Sequence, residues 1–255
     1  MSRFHAKTLR RLSLTYEPDD DAVRKLSARA RELGIAMPAS FVEWYGMRGG
    51  RDLLQQMSNC DAPVAIPQLG EPCTWRWEEV RNLIADDLLL FMVENQAVCI
   101  WAVKLNAGAD PPVVVARDPD LDWRPCADRF STFVACQVWD HTEVLDEGGR
   151  QILIQAQAPA LTARDLDFVR VRFRELQSTE GWPGNHQYRF ERDDMRLLIW
   201  DGYDQADWYL SASSAESLVA FFEELDEGDE APEFTWMWSN DERGNAILRH
   251  VRGRE

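Results

Sequence analysis

Residues Leu88–Asp118 read LLLFMVENQAVCIWAVKLNAGADPPVVVARD. Two apolar runs, Leu88–Val93 and Ala97–Lys104, flank the polar Glu94-Asn95-Gln96, and their β-branched and aromatic content predicts a hairpin. A turn through Gly108 then leads to a third strand, Pro111–Ala116, whose prolines suit a strand start or a sheet edge. The stretch supplies sheet and turns but no assembled nucleophile, base or metal-binding group.

Upstream, EPDDD at Glu17–Asp21 sets Asp20 or Asp21 to cap a helix with Val23, Leu26, Ala30 and Leu33 at helical spacing, which Gly34 ends. Pro38 opens a second helix, Ala39–Met47, with Phe41, Trp44 and Tyr45 on one face and Gly49-Gly50 as its stop. Asp61–Trp77 is punctuated by three prolines and Gly70, which predicts a long loop with one short strand, Val64–Ile66. Helices are predicted over Trp77–Ala85 and, after an Asp118-Pro119-Asp120 turn, over Trp123–Trp139, the latter closing over the sheet.

Beyond the predicted linker Asp146–Arg150 the pattern changes. Thr162 caps a helix predicted over Leu161–Gln177, a hairpin runs through Tyr188–Glu191 and Met195–Asp201, and Ala206–Ser211 adds a strand. Ser213 or Ser214 caps a helix Ala215–Leu225, and a last strand is placed at Phe234–Trp238. The expected class is α+β: a mixed or antiparallel sheet flanked by helices over residues 1–145, followed by a small α+β extension over 150–255.

The 255 residues are 45% hydrophobic and 11% aromatic, with eleven Trp, a composition that builds a core. Forty-four acidic residues face 28 Lys and Arg, giving a formal charge of −16. That charge repels nucleic acid and anionic membranes and steers a basic partner inward. Five dispersed cysteines without a CxxC point to a reducing, cytoplasmic setting, with neither zinc nor a disulfide framework. There is no apolar run long enough to span a bilayer and no secretory core after the basic N-terminus.

His5, His141, His186 and His250 lie apart, and Asp140-His141 with Glu143 reads as a helix C-terminus. The loop Gly181–His186 combines Trp182, Asn185 and His186 but reads as a tight connection before a hairpin. Neither a P-loop, a GxGxxG nor a GxSxG motif occurs, so no cofactor is expected. Two convergent carboxylates would suffice for a hydrolase, yet the acidic residues sit in turns and on helix faces where solvation is the default.

Met37-Pro38, the helix AlaSerPheValGluTrpTyr, Gly49-Gly50, the ValGluAsnGln turn leading to Trp101, the Pro-Pro-Val segment and the Trp–Phe–Phe helix together resemble the SUKH superfamily. Its members are relatives of the yeast cell-wall-synthesis regulator and of many bacterial immunity proteins. The resemblance covers roughly residues 20–145 and departs from the family's usual Leu-Pro at Met37-Pro38. It implies a non-catalytic sheet domain that neutralises a cognate toxin, often a nuclease, by binding it. Gly49, Gly50 and Trp101 carry over as structural residues only.

The expected contact residues are Glu94 and Asn95 at the hairpin turn, Asp118 and Asp120 after the third strand, and Glu223, Glu224, Asp226 and Glu227 in the acidic stretch after Phe222. The expected function is a cytoplasmic immunity protein that blocks a basic toxin through an acidic surface with aromatic anchors. The alternatives are a general interaction scaffold or regulator, and a carboxylate-dependent hydrolase or small-ligand-binding domain.

Overall fold

The structure is a computed structural model describing residues 3–75, 78–117, 121–145, 149–202, 204–227 and 231–253. The chain divides into two compact units, Met1–Val138 and Trp139–Glu255. Both are α+β with antiparallel sheets, the class expected from the sequence. The expected linker Asp146–Arg150 falls in part on residues 146–148, which lie outside the described set.

The first unit opens with α1 (Ala6–Arg11) and α2 (Asp20–Leu33). Asp19 caps α2 by accepting from the backbone of Asp21 and Ala22, and Gly34 closes it in the left-handed region at φ 67°. Helix α3 (Ala39–Tyr45) ends earlier than expected, and Gly49-Gly50 introduces a further helix, α4 (Gly50–Gln56). Gly49 takes φ 70°, and a Cβ on Gly50 would sit 2.0 Å from the Trp44 carbonyl oxygen, so the pair lets two helices meet at a tight corner.

The five-stranded sheet has the order β1 (Ala62–Pro63), β4 (Leu88–Val93), β5 (Ile100–Lys104), β6 (Val113–Ala116), β7 (Arg124–Ala127). Between β1 and β4 in the chain, β2 (Cys73–Trp75) pairs with β3 (Glu78–Val80). The helix expected at Trp77–Ala85 is therefore absent among the described residues: Val80 pairs with Cys73, and Ile84–Asp86 makes one 3-10 turn. Its i, i+3 apolar spacing serves a strand and a turn that bring Val80 and Leu83 under Trp75. The helix expected over Trp123–Trp139 likewise gives up its first part to β7. Pro125 is accommodated there because β7 is an edge strand, and α5 (Phe130–Trp139) follows.

Leu88–Val93 lacks polar alternation because both sheet faces are covered. Phe91 packs edge-on to Phe41, Phe130 and Phe133 on the helical side, while Leu88 and Leu90 join Ile100, Val114 and Trp75 on the other. The Tyr45 hydroxyl donates to the Phe91 carbonyl at 2.7 Å, tying α3 to the strand.

The second unit begins with a π-helical turn, Asp140–Val144, and then β8 (Ile152–Pro159), ILIQAQAP, which alternates between buried and half-buried positions as far as Ala158. This strand is additional to the elements expected from the sequence. Its neighbours give the sheet order β10 (Thr179–Glu180), β11 (His186–Arg192), β12 (Met195–Asp201), β13 (Gln205–Ala212), β8, β14 (Trp236–Trp238), with β9 (Arg174–Glu175) also paired to β11. Helices α6 (Ala163–Arg170), α7 (Ala215–Glu227) and α8 (Glu242–Arg252) contribute Phe168, Leu218, Phe221, Ile247 and Leu248 to a core against Ile154, Leu197, Ile199 and Leu210 on one sheet face.

Thr162 caps α6 within a capping box closed by Asp165. The helix stops at Arg170, short of the expected Gln177, because Arg174 and Glu175 pair with Glu191 and Phe190. Phe173 still reaches the core, edge-on to Phe221 at 5.6 Å, so helical spacing continues past the helix itself.

Candidate functional site

The hairpin turn of the first unit consumes its own polar groups. Glu94 is 6% exposed, and its carboxylate accepts from the backbone N–H of Gln96 at 2.7 Å and of Val98 at 3.0 Å. Asn95 is exposed; its backbone N–H donates to Asp61 Oδ1 at 3.2 Å and its side-chain amide donates to the Asn59 carbonyl. Burial raises the pKa of Asp61 to about 6, with the Asn95 N–H pulling it down and the nearby Glu94 charge pushing it up. Asp61 opens the expected loop Asp61–Trp77, and nothing in its local sequence marks it as buried. Two carboxylates thus lie close together, and both are engaged by backbone amides.

Asp118 and Asp120 lie outside the described residues. An open depression elsewhere in this unit is lined by Leu14, Glu17, Met47, Gly49, Asp52 and Leu53 among others, none of them one of the expected contact residues.

The acidic stretch of the second unit occupies the C-terminal turns of α7. Glu223 and Asp226 are exposed, Glu227 ends the helix, and Glu224 folds back to accept from Arg192 at 2.9 and 3.0 Å while pairing with Arg172 at 3.4 Å. Glu224 is therefore partly neutralised where it stands, and Glu223 and Asp226 present the acidic face of the helix.

The two other groupings weighed from the sequence are also occupied internally. Asp140 and Glu143 pair with Arg189 and Arg196 across the sheet. In the Gly181–His186 loop, His186 stacks on Tyr188 with ring centroids 4.8 Å apart, Asn185 N–H donates to the Asp201 carbonyl at 2.6 Å, and the Gln187 amide donates to the Pro183 carbonyl. Among the described residues no group of three His, Cys, Asp or Glu is arranged to hold a metal ion, and no helix is long and apolar enough to cross a membrane.

Charge divides unequally between the units. Trp139–Glu255 holds 25 acidic against 12 basic residues, a formal −13 of the chain's −16. Its arginines are largely spent on internal partners: Arg170 on Glu175, Arg174 on Glu191, Arg243 on Asp241 and Arg249 on Glu242, besides those already named. What such a unit offers to another molecule is excess negative charge beside aromatic side chains.

No protein-family profile, curated protein or solved structure matches the chain.

Proposed function

We propose that this chain is a non-catalytic, cytoplasmic partner-binding protein that holds a basic protein against its second unit, in the manner of an immunity protein blocking a cognate toxin. The observation that carries the reading is the −13 charge concentrated in Trp139–Glu255, where internal pairing occupies arginine after arginine. An acidic surface of this kind accelerates encounter with a cationic partner, and buried aromatic anchors then slow dissociation. The SUKH-like motifs of residues 20–145 support the toxin-neutralising form of this reading, and the tied-up carboxylates of Glu94 and Asp61 weigh against a hydrolase.

The test is co-expression of the full chain with a toxin encoded beside it. Rescue of growth, with a complex that co-purifies at low salt, is expected. Cells that die despite accumulation of the folded protein would overturn the toxin-neutralising form, and failure to retain any basic partner would overturn the reading as a whole.

A further inference from the structure

The helices of the second unit cover one face of its sheet; on the other, Trp139 and Val144 bury Leu198, and beside them runs a row of side chains contributed by four strands, its Trp200 end packed against that cluster. The registers Trp236↔Gln157, Gln157↔Asp207 and Asp207↔Trp200 place these residues directly across from one another on β14, β8, β13 and β12. Directly opposed residues of antiparallel strands project from the same face. Gln157 Nε2 accordingly donates to Asp207 Oδ1 at 3.0 Å. The intervening residues Met237, Ala156, Trp208 and Ile199 point the other way, into the helix-covered core.

Each end of the row is thickened by a second ring. Trp238 lies 5.8 Å from Trp236 between ring centroids, and Tyr209 lies 4.5 Å from Trp200. Strand spacing of about 4.8 Å sets the two end tryptophans roughly 14 Å apart, with the carboxylate between them. Trp236 is 49% exposed, and Gln157, Asp207 and Trp200 are half-buried. Among the described residues of the strands, the basic groups of this face, Arg174, Arg189 and Arg196, are bound to Glu191, Asp140 and Glu143, which leaves Asp207 without a cation of its own sheet.

An aromatic face attracts a cation through its ring quadrupole, and a carboxylate beside it supplies the counter-charge. Lys and Arg also carry apolar stems that cover indole rings while their charged ends reach an acidic group. We propose that the Trp236–Gln157–Asp207–Trp200 row is the docking surface for a basic polypeptide segment, whose Arg or Lys side chains lie on the tryptophans with a charged end at Asp207. This rests on the reading of the chain as a binder of a basic protein and assigns that binder its contact face. The occupant follows from charge: the unit repels phosphate-bearing polymers and attracts cationic ones.

The experiment titrates the full chain calorimetrically with a polyarginine peptide at low salt. Asp207→Asn, which keeps the shape of the side chain, and Trp236→Ala, at an exposed position, are each expected to weaken binding about tenfold, and Trp236→Phe to weaken it less because a ring remains. The α7 double variant Glu223→Gln, Asp226→Asn is expected to change affinity less than about twofold. Circular dichroism of each variant confirms that it is folded. If the α7 variant abolishes binding while Asp207→Asn and Trp236→Ala bind as the parent does, the face is overturned and the basic-partner reading stands. If the parent chain fails to bind polyarginine, both fall. Binding of a neutral oligosaccharide at this row, lost in Trp236→Ala, with polyarginine binding elsewhere, would also overturn the face assignment.

Discussion

Arg189 and Asp140 form a two-point ion pair inside the second unit, Nε to Oδ1 at 2.6 Å and Nη2 to Oδ2 at 2.7 Å. Arg189 is 3% exposed, and its remaining nitrogen donates to Thr179 Oγ1 and the Gln187 carbonyl. Burial raises the Asp140 carboxyl's pKa against the opposing pull of the guanidinium. The pair clamps the π-helical turn onto the sheet face, helped by Ser211 donating to the Glu143 carbonyl at 2.7 Å.

Removing one partner strands a buried charge. Asp140→Ala is expected to lower stability by about 3–5 kcal/mol, while the double variant Asp140→Leu, Arg189→Met recovers much of that loss. Urea unfolding of the single and double variants measures the difference.

Asp61 sets a pH dependence of one sign. Folded, it keeps its proton up to about 6; unfolded, it releases it near the usual ~3.9. The folded state therefore binds more protons between those values, and this group's contribution to stability falls as pH rises through that window. Asp61→Asn is expected to match the parent near pH 4 and to exceed it above pH 6 by on the order of 2 kcal/mol. Parallel urea titrations at the two pH values check this.

Asp194 acts in the opposite direction. Burial alone would raise its pKa, but donors on Ser217, Ser213 and Ser214 outweigh it and pull the carboxyl down to about 2. Ser213 Oγ and Ser214 N–H donate to Oδ2 at 2.8 and 3.0 Å, so the β11–β12 turn caps the start of α7. That support is present above ~3.9 and is lost as pH falls toward 2. Asp194→Ala is expected to cost about 2 kcal/mol at neutral pH and little in strong acid, read by thermal unfolding across pH.

Glu94 and Asn95 separate by role. Glu94→Ala leaves two turn amides without their acceptor and is expected to cost about 2–3 kcal/mol, whereas Asn95→Ala, at an exposed position, costs less than about 1 kcal/mol. Chemical denaturation of the two variants distinguishes them.

Association with a basic partner is expected to slow by about 10–100-fold between low and high salt, with dissociation changing far less. Stopped-flow binding measures both rates.

Local chemistry made many elements legible. Leu88–Val93 and Met195–Asp201 form strands over the residues expected, and Gly34 and Thr162 end and begin their helices as read. Ile152–Pro159 alternates between buried and more exposed positions, a strand signal that the expectation of a linker followed by a helix leaves out. Trp77–Ala85 and the first part of Trp123–Trp139 were misread because apolar spacing of three or four residues fits a helix as well as a strand joined to a turn, and only pairing partners decide between them.

By itself, then, the sequence determined the α+β class, the central hairpin, the helix caps Gly34 and Thr162 and the excess of negative charge, because these depend on nearest neighbours and on composition; the cap expected at Asp20 or Asp21 is Asp19, and Gly49-Gly50 starts a helix where a stop is expected. Tertiary structure decided that Glu94 faces inward to its own turn, that Glu224 is held by arginines, and that Trp236, Gln157, Asp207 and Trp200 share one row. Those outcomes depend on registers between segments far apart in the chain, where a shift of one residue sends each side chain to the opposite face.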